Sequence, residues 1–415
     1  MPFLLALPLM LVLGTCLLTV TTSFMFERAR SLSAVVLLLF TLGMAVMAYY
    51  VQPVPGSYTD LERIATEVHL VEEHGVSQIA DLYALNPLST VLIAIAAGFH
   101  DVNLLKAISA FLLYGALFLV IYCEWAKKHI SRGIFLFMFV FVMIIVNMPG
   151  VVFGVRQGAS FAMAIAGAYL WLRNRQPIAG CVIIVAATLL HFSSVVVLAA
   201  VLLSRITRTG ILRVIYFCIA LYPLLTYVPV WVLAKIGAGS AVQILLSKMN
   251  GYYMFGSNFE LFASPLAQAT AALRLCMCIG IVLLARYYAR FNVQQTAQRY
   301  CRFFIIIMLV CVGSALTGTP FRRFTSLAWY AALPLVAWVM QGLIERNQVN
   351  QRIGLQSQSN SSSFSVRVSN LYDQFIYSRV LYMIFICILF ALVVMSVYDW
   401  HSFTRFYISA QQVYA

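Results

Sequence analysis

The chain has 415 residues, of which 63% are hydrophobic and 10% are charged. Soluble domains carry roughly 45–50% apolar and about 25% charged residues, so this composition excludes an ordinary water-soluble protein. The formal net charge is +14, from 27 Lys and Arg against 13 Asp and Glu. Because the apolar residues come in long runs, we interpret this charge as a matter of membrane orientation and not as a nucleic-acid-binding surface.

Long apolar runs predict transmembrane helices, since about 20 residues cross the ~30 Å hydrocarbon core. The runs that are long enough are 3–24, 33–51, 103–125, 133–149, 157–172, 211–234, 265–287, 303–320, 324–344 and 379–398. Residues 87–99 are too short for an upright span. Residues 178–204 fit either one tilted span or two half-helices hinged near His191 and Phe192. The sequence therefore predicts an all-α polytopic membrane protein of about 10–12 transmembrane helices, forming a single domain over residues 1–415.

Acidic and basic residues separate along the chain. Segment 53–86 carries six acids against one arginine, a net charge of −5, and is predicted to be an outer loop with an amphipathic helix. Most other short loops are basic, which marks the cytoplasmic side. Ten crossings place these basic loops inside, whereas twelve crossings, our second choice, place two of them outside. Segment 345–378 is predicted to be a polar, flexible loop.

A few cations lie where orientation does not explain them. Arg156 opens a helix after the Pro/Gly break in 147–154, His191 lies deep in an apolar run, and Arg322 and Arg323 lie between two spans. An arginine near the bilayer centre costs about 2.5–3.5 kcal/mol on insertion scales. Snorkelling arginines and a hydrogen-bonded structural histidine are the simpler explanations. Taken together, these cations predict a buried phosphate or pyrophosphate, which suits both the planar arginine fork and a helix N-terminus.

The outer loop supplies carboxylates. Tyr58, Asp60 and Glu62 follow the break at Pro53–Gly56 and begin the amphipathic helix, where a carboxylate could accept a proton from a sugar hydroxyl. Further acids there are interpreted as a solvated face and the nearby tyrosines mostly as an interfacial belt: Glu67, Glu72, Glu73, Tyr49, Tyr50 and Tyr83.

Motifs for other chemistries are not found. The sequence contains no Asp-x-Asp pair to hold a metal-bound nucleotide sugar, no phosphate-binding Walker loop and no His/Cys cluster. We therefore expect no metal and no cofactor.

Residues 155–203 resemble the EpsG-like branch of the bacterial Wzy-type polysaccharide polymerases. Members typically show Arg-Gln-x-x-Ala at a helix start, a basic turn, and an apolar run ending in Phe-His-x-Ser-Ala. Here Arg156 and Gln157 are followed by a displaced alanine, Ala159, and the aromatic residue comes after His191. The acidic outer loop and segment 319–324 are similar to the family's early Asp/Tyr segment and late arginine.

The resemblance implies a polymerase of undecaprenyl-pyrophosphate-linked oligosaccharide repeat units at the outer face of the bacterial inner membrane. Its fold would be similar to that of the lipid-dependent membrane glycosyltransferases. Transfer would invert the anomeric configuration, with lipid pyrophosphate as the leaving group. Expected partners are the lipid-linked oligosaccharides, the bilayer, and the flippase and chain-length regulator of the same pathway.

The same resemblance assigns roles to the candidate residues. Arg156 and either Arg322 or Arg323 would clamp the pyrophosphate. His191 would donate to a phosphate oxygen or take the acceptor proton, with Asp60 as the competing base. The other substrate-binding candidates are Gln157, Tyr58 and Glu62, with Glu62 also the reserve base.

Two other functions use the same features. An O-antigen-ligase-like glycosyltransferase would differ in its acceptor alone. A transporter of polysaccharide or lipid-linked glycan would also have ten to twelve spans, but residues 1–200 and 210–415 do not show the repeated halves common in transporters. A membrane acyltransferase with His191 as its base is a more distant alternative.

Overall fold

The computed structural model describes residues 2–51, 60–146, 151–152, 154–237, 273, 276–277, 279–283, 286, 295–314 and 318–357. All regular secondary structure within these residues is helical. The predicted span 379–398 and most of 265–287 lie outside the described residues.

The helices are α1 (Pro2–Thr21), α2 (Phe26–Tyr50), α3 (Asp60–His74), α4 (Ser77–Ala80), α5 (Pro87–Gly98), α6 (Asn103–Ala126), α7 (Arg132–Ile145), α8 (Gln157–Leu172), α9 (Pro177–Leu190), α10 (Val195–Leu203), α11 (Thr209–Ala220), α12 (Tyr222–Lys235), α13 (Gln295–Gly313) and α14 (Gly318–Ser357). A 3-10 turn, Phe192–Ser194, joins α9 to α10. Within the described chain, four segments are long and apolar enough to cross a membrane: Glu27–Tyr50, Asn103–Ala126, Gln295–Gly313 and Arg323–Gly342.

Aromatic rings fill the space between α2, α6 and α7. Phe40 meets Phe139 edge-on with ring centroids 4.9 Å apart, and Phe118 stacks on Phe139 at 5.4 Å. Lipid is as apolar as these side chains, so close packing rather than the expulsion of water holds such helices together.

Helix α8 lies in the middle of the bundle and packs antiparallel against α9. It is rich in alanine and glycine, and most of its residues are buried. A Cβ atom at Gly167 would lie 2.7 Å from the Gly180 carbonyl oxygen and 2.8 Å from Ile184 Cγ1. The two backbones are therefore in contact, which small residues permit.

Helices α9 and α10 form a hairpin. The start of α9 and the finish of α10 lie near the last turn of α8, and the hinge between them lies near its first turn. With 14 and 9 residues, α9 and α10 are about 21 Å and 14 Å long, too short to cross ~30 Å. At the hinge, Ser194 contacts Ser160 in the first turn of α8, with the two Oγ atoms 3.0 Å apart. Beyond α10, Arg205 lies 5.2 Å above the Trp171 ring in the last turn of α8. Segment 178–204 thus consists of two half-helices hinged at His191 and is not one tilted span.

The N-terminus of α8 defines the site end of the bundle. The predicted amphipathic helix is α3, which buries Leu61, Ile64, Val68 and Val71 against the rest of the protein. Helix α5 packs against α3, and its 12 residues confirm that 87–99 is too short for an upright span. The loop after α5 reaches the end of α2, where the Tyr49 hydroxyl donates to Asp101 at 2.6 Å.

Two long elements differ from the predicted spans. The predicted span 211–234 is divided into α11 and α12 at Leu221, because Pro223 lacks the N–H that would continue the hydrogen bonding of α11 and is tolerated in the first turn of α12. Helix α14 begins at Gly318 rather than at 324, since Pro320 is tolerated in a first helical turn. It continues to Ser357, so residues 345–357 of the predicted flexible loop 345–378 are helical, while 358–378 lie outside the described residues.

A group of polar side chains, the opposite-end cluster, joins α6, α8 and α14 at the C-terminus of α8. The buried carboxylate of Glu124 accepts from the Tyr169 hydroxyl at 2.8 Å and from Arg173 Nε at 3.3 Å. Its other oxygen lies 3.0 Å from His129 Nδ1. The Arg173 guanidinium lies 4.7 Å from the centre of the Trp338 ring. A buried charge is tolerated here because several partners share it.

Candidate functional site

Arg156 lies at the start of α8, directly after a strained backbone turn. Its N–H donates to the Gly154 carbonyl at 2.5 Å, and the intervening Val155 has a φ of 37°. Positive φ is unusual for a β-branched residue, and such strain costs on the order of 1–3 kcal/mol. Val155 is buried in the apolar cluster beneath α3, which holds the turn in place. The turn fixes where the Arg156 side chain leaves the backbone.

The Arg156 side chain is buried without a carboxylate partner among the described residues. The residue is 7% exposed, and its guanidinium carbon lies 4.5 Å from the centre of the Tyr83 ring. No described Asp or Glu is within ion-pair distance of it. A cation–π contact uses the face of a guanidinium, whereas its N–H donors point outward in its plane.

Tyr83 is in turn held by a buried carboxylate. Its hydroxyl donates to Glu67 Oε2, and both residues are buried between α3 and α5. Burial raises the pKa of Tyr83 to about 12, with the Glu67 hydrogen bond adding to the rise and Arg156 opposing it. Tyr83 is therefore neutral and a hydrogen-bond donor at physiological pH.

The α9–α10 hinge is held by the start of α5. Ser89 Oγ donates to the Leu190 carbonyl at 2.6 Å, and the Phe192 N–H donates to Asn86 Oδ1 at 2.6 Å. These bonds satisfy backbone groups that the helix ends leave open. Together with the contact between Ser194 and Ser160, they place His191 beside the first turn of α8.

His191 is the extended residue at this hinge, and its ring contacts the turn that follows it. Nδ1 lies 2.7 Å from Ser193 Oγ and accepts from the Ser193 backbone N–H at 3.4 Å. A neutral imidazole that accepts at Nδ1 carries its proton on Nε2. In this arrangement His191 offers Nε2–H as a donor.

Asp60 and Arg323 join α3 to α14. Arg323 Nη2 donates to Asp60 Oδ2 at 3.2 Å, and Arg63 Nη2 lies 3.6 Å from the other oxygen of the same carboxylate. The neighbouring Phe324 stacks on Phe161 with ring centroids 6.1 Å apart, which places the start of α14 beside α8.

These separate elements converge on His191. Arg156, Arg323, Asp60 and Arg63 lie close enough to His191 to influence its ring electrostatically. Three cations and one carboxylate from α3, α8 and α14 therefore lie in the vicinity of a histidine between α9 and α10. Such a group is suited to bind an anion and to move a proton nearby.

The predicted site residues fall into three groups. Arg156, His191, Asp60 and Arg323 come together as described. Gln157 is half-buried as the first residue of α8, and Glu62 is exposed on α3. Tyr58 and the side chain of Arg322 lie outside the described residues.

Two sequence-based interpretations are wrong. Glu67 is not on the solvated face of α3, and Tyr83 is not an interfacial belt residue, because both are buried beside Arg156. The helical spacing does contain the signal for Glu67, which lies three residues after Ile64 and four before Val71 on the buried face. Asn86 and Ser89, which hold the hinge, were not singled out, and their polarity at the start of an apolar run was the available signal.

Metal-binding clusters are not found among the residues that the structure describes: no group of three or more His, Cys, Asp or Glu side chains could hold an ion.

An all-α chain with several helices able to cross a membrane is a polytopic membrane protein. It belongs to the EpsG family, whose family model matches residues 69–350. No curated protein and no solved structure matches the chain. Family membership supports a membrane protein of the polysaccharide-polymerase type. The matched range includes Tyr83, Arg156, His191 and Arg323, whereas Asp60 and Glu67 precede it.

Proposed function

We propose that the protein polymerises undecaprenyl-pyrophosphate-linked oligosaccharide repeat units at the outer face of the bacterial inner membrane. The donor is the growing glycan on its lipid pyrophosphate, and the acceptor is a lipid-linked repeat unit. The enzyme is an inverting membrane glycosyltransferase that needs no metal or other cofactor. It would work beside the flippase and the chain-length regulator of the same pathway.

The observation that carries this proposal is the buried Arg156. Its charge is stabilised by the face of Tyr83 and not by a described carboxylate. A buried cation normally has an anionic partner. A pyrophosphate supplies that partner, and the free N–H groups at the start of α8 add to its attraction.

The proposed reaction is a single displacement at the anomeric carbon of the donor. The acceptor hydroxyl oxygen forms a bond to the anomeric carbon of the donor. The bond from that carbon to the pyrophosphate oxygen breaks, and its electron pair leaves with the lipid pyrophosphate. Arg156, Arg323 and the Nε2–H of His191 stabilise the negative charge that develops on the leaving group. One such contact is typically worth about 3–4 kcal/mol, or 10²–10³ in rate.

Asp60 is our choice of base, because His191 already accepts a hydrogen bond at Nδ1 from the Ser193 backbone N–H. The Asp60 carboxylate is held by Arg323 at 3.2 Å and is about one-third exposed, so it can reach an incoming hydroxyl. When the pyrophosphate engages Arg323, Asp60 is released to accept the proton of the acceptor hydroxyl.

Arg156 variants test the proposal. In a strain that lacks the native copy, Arg156→Ala and Arg156→Lys are both expected to lower polymer formation by about 10²–10³, since lysine keeps the charge but loses the fork. The measurement is glycan length on gels, followed by release of lipid pyrophosphate by purified protein. Arg213→Lys, at an exposed position on α11, is the matched control.

Each alternative predicts a different result. Full-length polymer from Arg156→Ala at normal expression would contradict the pyrophosphate clamp. Accumulation of single repeats in the deletion strain supports a polymerase, whereas full-length lipid-linked polymer would indicate a ligase. Repeat units trapped on the cytoplasmic side would indicate a transporter.

A further inference from the structure

A line of contacts runs along α3 and connects Arg323 with Arg156. Asp60, Arg63 and Glu67 are three and four residues apart on one helix face. Arg63 lies 3.6 Å from Asp60 and 3.7 Å from Glu67. Arg323 contacts the Asp60 end of this line, and Tyr83 joins the Glu67 end to Arg156.

Tyr83 stands between the buried Glu67 and Arg156. Glu67 receives the Tyr83 hydroxyl and pairs with Arg63, so its described contacts do not include Arg156. The aromatic face still attracts the guanidinium, but it does not occupy the N–H donors as a carboxylate fork would. The charge of Arg156 is thereby stabilised while its donors stay available to a ligand.

The Tyr83 ring is well placed to set the orientation of Arg156. Its hydroxyl is fixed by Glu67, and its ring is buried in the apolar cluster of α3 that also includes Val155, the residue before Arg156. The backbone and the guanidinium of Arg156 are thus held by one cluster. Because both the backbone and the guanidinium of Arg156 are held, the side chain loses little conformational entropy when it binds an anion.

We propose that Tyr83 and Glu67 are positioning residues that hold Arg156 unneutralised and oriented for a pyrophosphate. This inference rests on the proposed function for the identity of the anion. The ring face of Tyr83 supports the guanidinium, and Glu67 fixes the ring.

Kinetics of purified variants give the first test. Tyr83→Leu removes the ring face and is expected to lower kcat about ten- to thirtyfold, while Tyr83→Phe, which keeps it, loses less. Glu67→Gln still accepts the hydroxyl and is expected to lose least. In combination with Arg156→Lys, Tyr83→Leu should cause little further loss, because both act on one contact.

Matched controls separate positioning from stability. Tyr330→Leu removes a tyrosine that is 4% exposed, as Tyr83 is, from α14. Glu73→Gln alters an acid on α3 whose side chain is 72% exposed. Tyr330→Leu is expected to lower kcat additively with Arg156→Lys, and Glu73→Gln to leave kcat unchanged.

If Tyr83→Leu does not fold, the kcat values of Tyr83→Phe and Glu67→Gln provide the test. A kcat equal to that of the wild type in both variants overturns the inference.

A second readout does not depend on activity. Phenylglyoxal modifies accessible arginines, and peptide mass spectrometry reports the rate at Arg156. We expect slow modification in the wild type, at least tenfold faster modification in Tyr83→Leu, and no change in Tyr330→Leu, with inorganic pyrophosphate as the protecting probe. An unchanged rate in Tyr83→Leu overturns the inference even if the protein is a polymerase. A faster rate, combined with full-length polymer from Arg156→Ala, supports the positioning pair and contradicts the proposed function.

Discussion

At the scale of residues, His191 and Asp60 divide the work of charge stabilisation and proton transfer. His191 accepts from Ser193 at Nδ1, which leaves Nε2 as its donor. Asp60 is paired with Arg323 and Arg63 until a ligand anion competes for them. The site therefore contains a donor and a base with different partners, which can be distinguished by conservative substitutions.

Substitutions at His191 and Asp60 test this division. His191→Gln keeps a donor and is expected to stay within about tenfold of wild-type kcat, while His191→Ala loses about 10²–10³. Asp60→Asn is expected to lower kcat by about 10²–10⁴ without raising KM for the lipid-linked donor, because it also frees Arg323. The reverse pattern, an inactive His191→Gln beside an active Asp60→Asn, would make His191 the base.

The sequence could single out Arg156, His191 and Arg323 as candidates because charge within or beside an apolar run is costly and therefore conspicuous. Asp60 was a candidate because it begins the amphipathic helix of the acidic outer loop. The sequence could not predict that Tyr83 would lie under Arg156, since that contact joins residues far apart in the chain. A tyrosine near a helix end has the same appearance in sequence whether it faces headgroups or the protein interior.

At the scale of elements, the backbones of helices α8 and α9 pack in direct contact. The Gly167 and Gly180 backbones touch, and the hairpin beyond them carries His191. A change in the spacing of α8 and α9 would therefore move His191 relative to Arg156, which is fixed to α8.

Gly167→Ala tests this close approach. The added methyl meets the Gly180 carbonyl oxygen at 2.7 Å, so the helices must separate, at a cost of about 1–3 kcal/mol in unfolding free energy. The measurement is denaturant unfolding of the detergent-solubilised protein. Gly133→Ala in α7 is the control, since nothing lies within 4 Å of its added Cβ. Equal stability of the two variants would show that α8 and α9 do not touch at this point.

Some elements could be predicted and others could not. The hinge at His191 was one of two alternatives because polar residues interrupt an apolar run that is long enough for one span. Only contacts with Ser160 and Asn86 decide between them. The break at Leu221 has a local cause in Pro223, but apolar length alone favoured a single span.

At the scale of the whole molecule, the bundle has two chemically different ends. The site end contains acidic α3 and the cations around His191, whereas basic residues such as Lys128 follow the opposite-end cluster. Because basic loops mark the cytoplasm, we expect the site end to face outward.

Cysteine labelling of intact cells tests this orientation. Against the wild-type background, Glu73→Cys should react with a membrane-impermeant maleimide from outside, and Lys128→Cys only after permeabilisation. Both side chains are exposed, so accessibility within the protein does not limit either reaction. Labelling of Lys128→Cys from outside would contradict the outward orientation of the site end.

The anchoring of α8 has a consequence for how glycan chains grow. Arg156 holds one end of this helix, and the buried pair of Arg173 with Glu124 holds the other. Leaving such a buried charge uncompensated costs about 3–5 kcal/mol, so a central helix of this kind resists rocking. Under the proposed function, we therefore expect α8 to stay fixed while lipid-linked substrates and the spent lipid exchange beside its N-terminus.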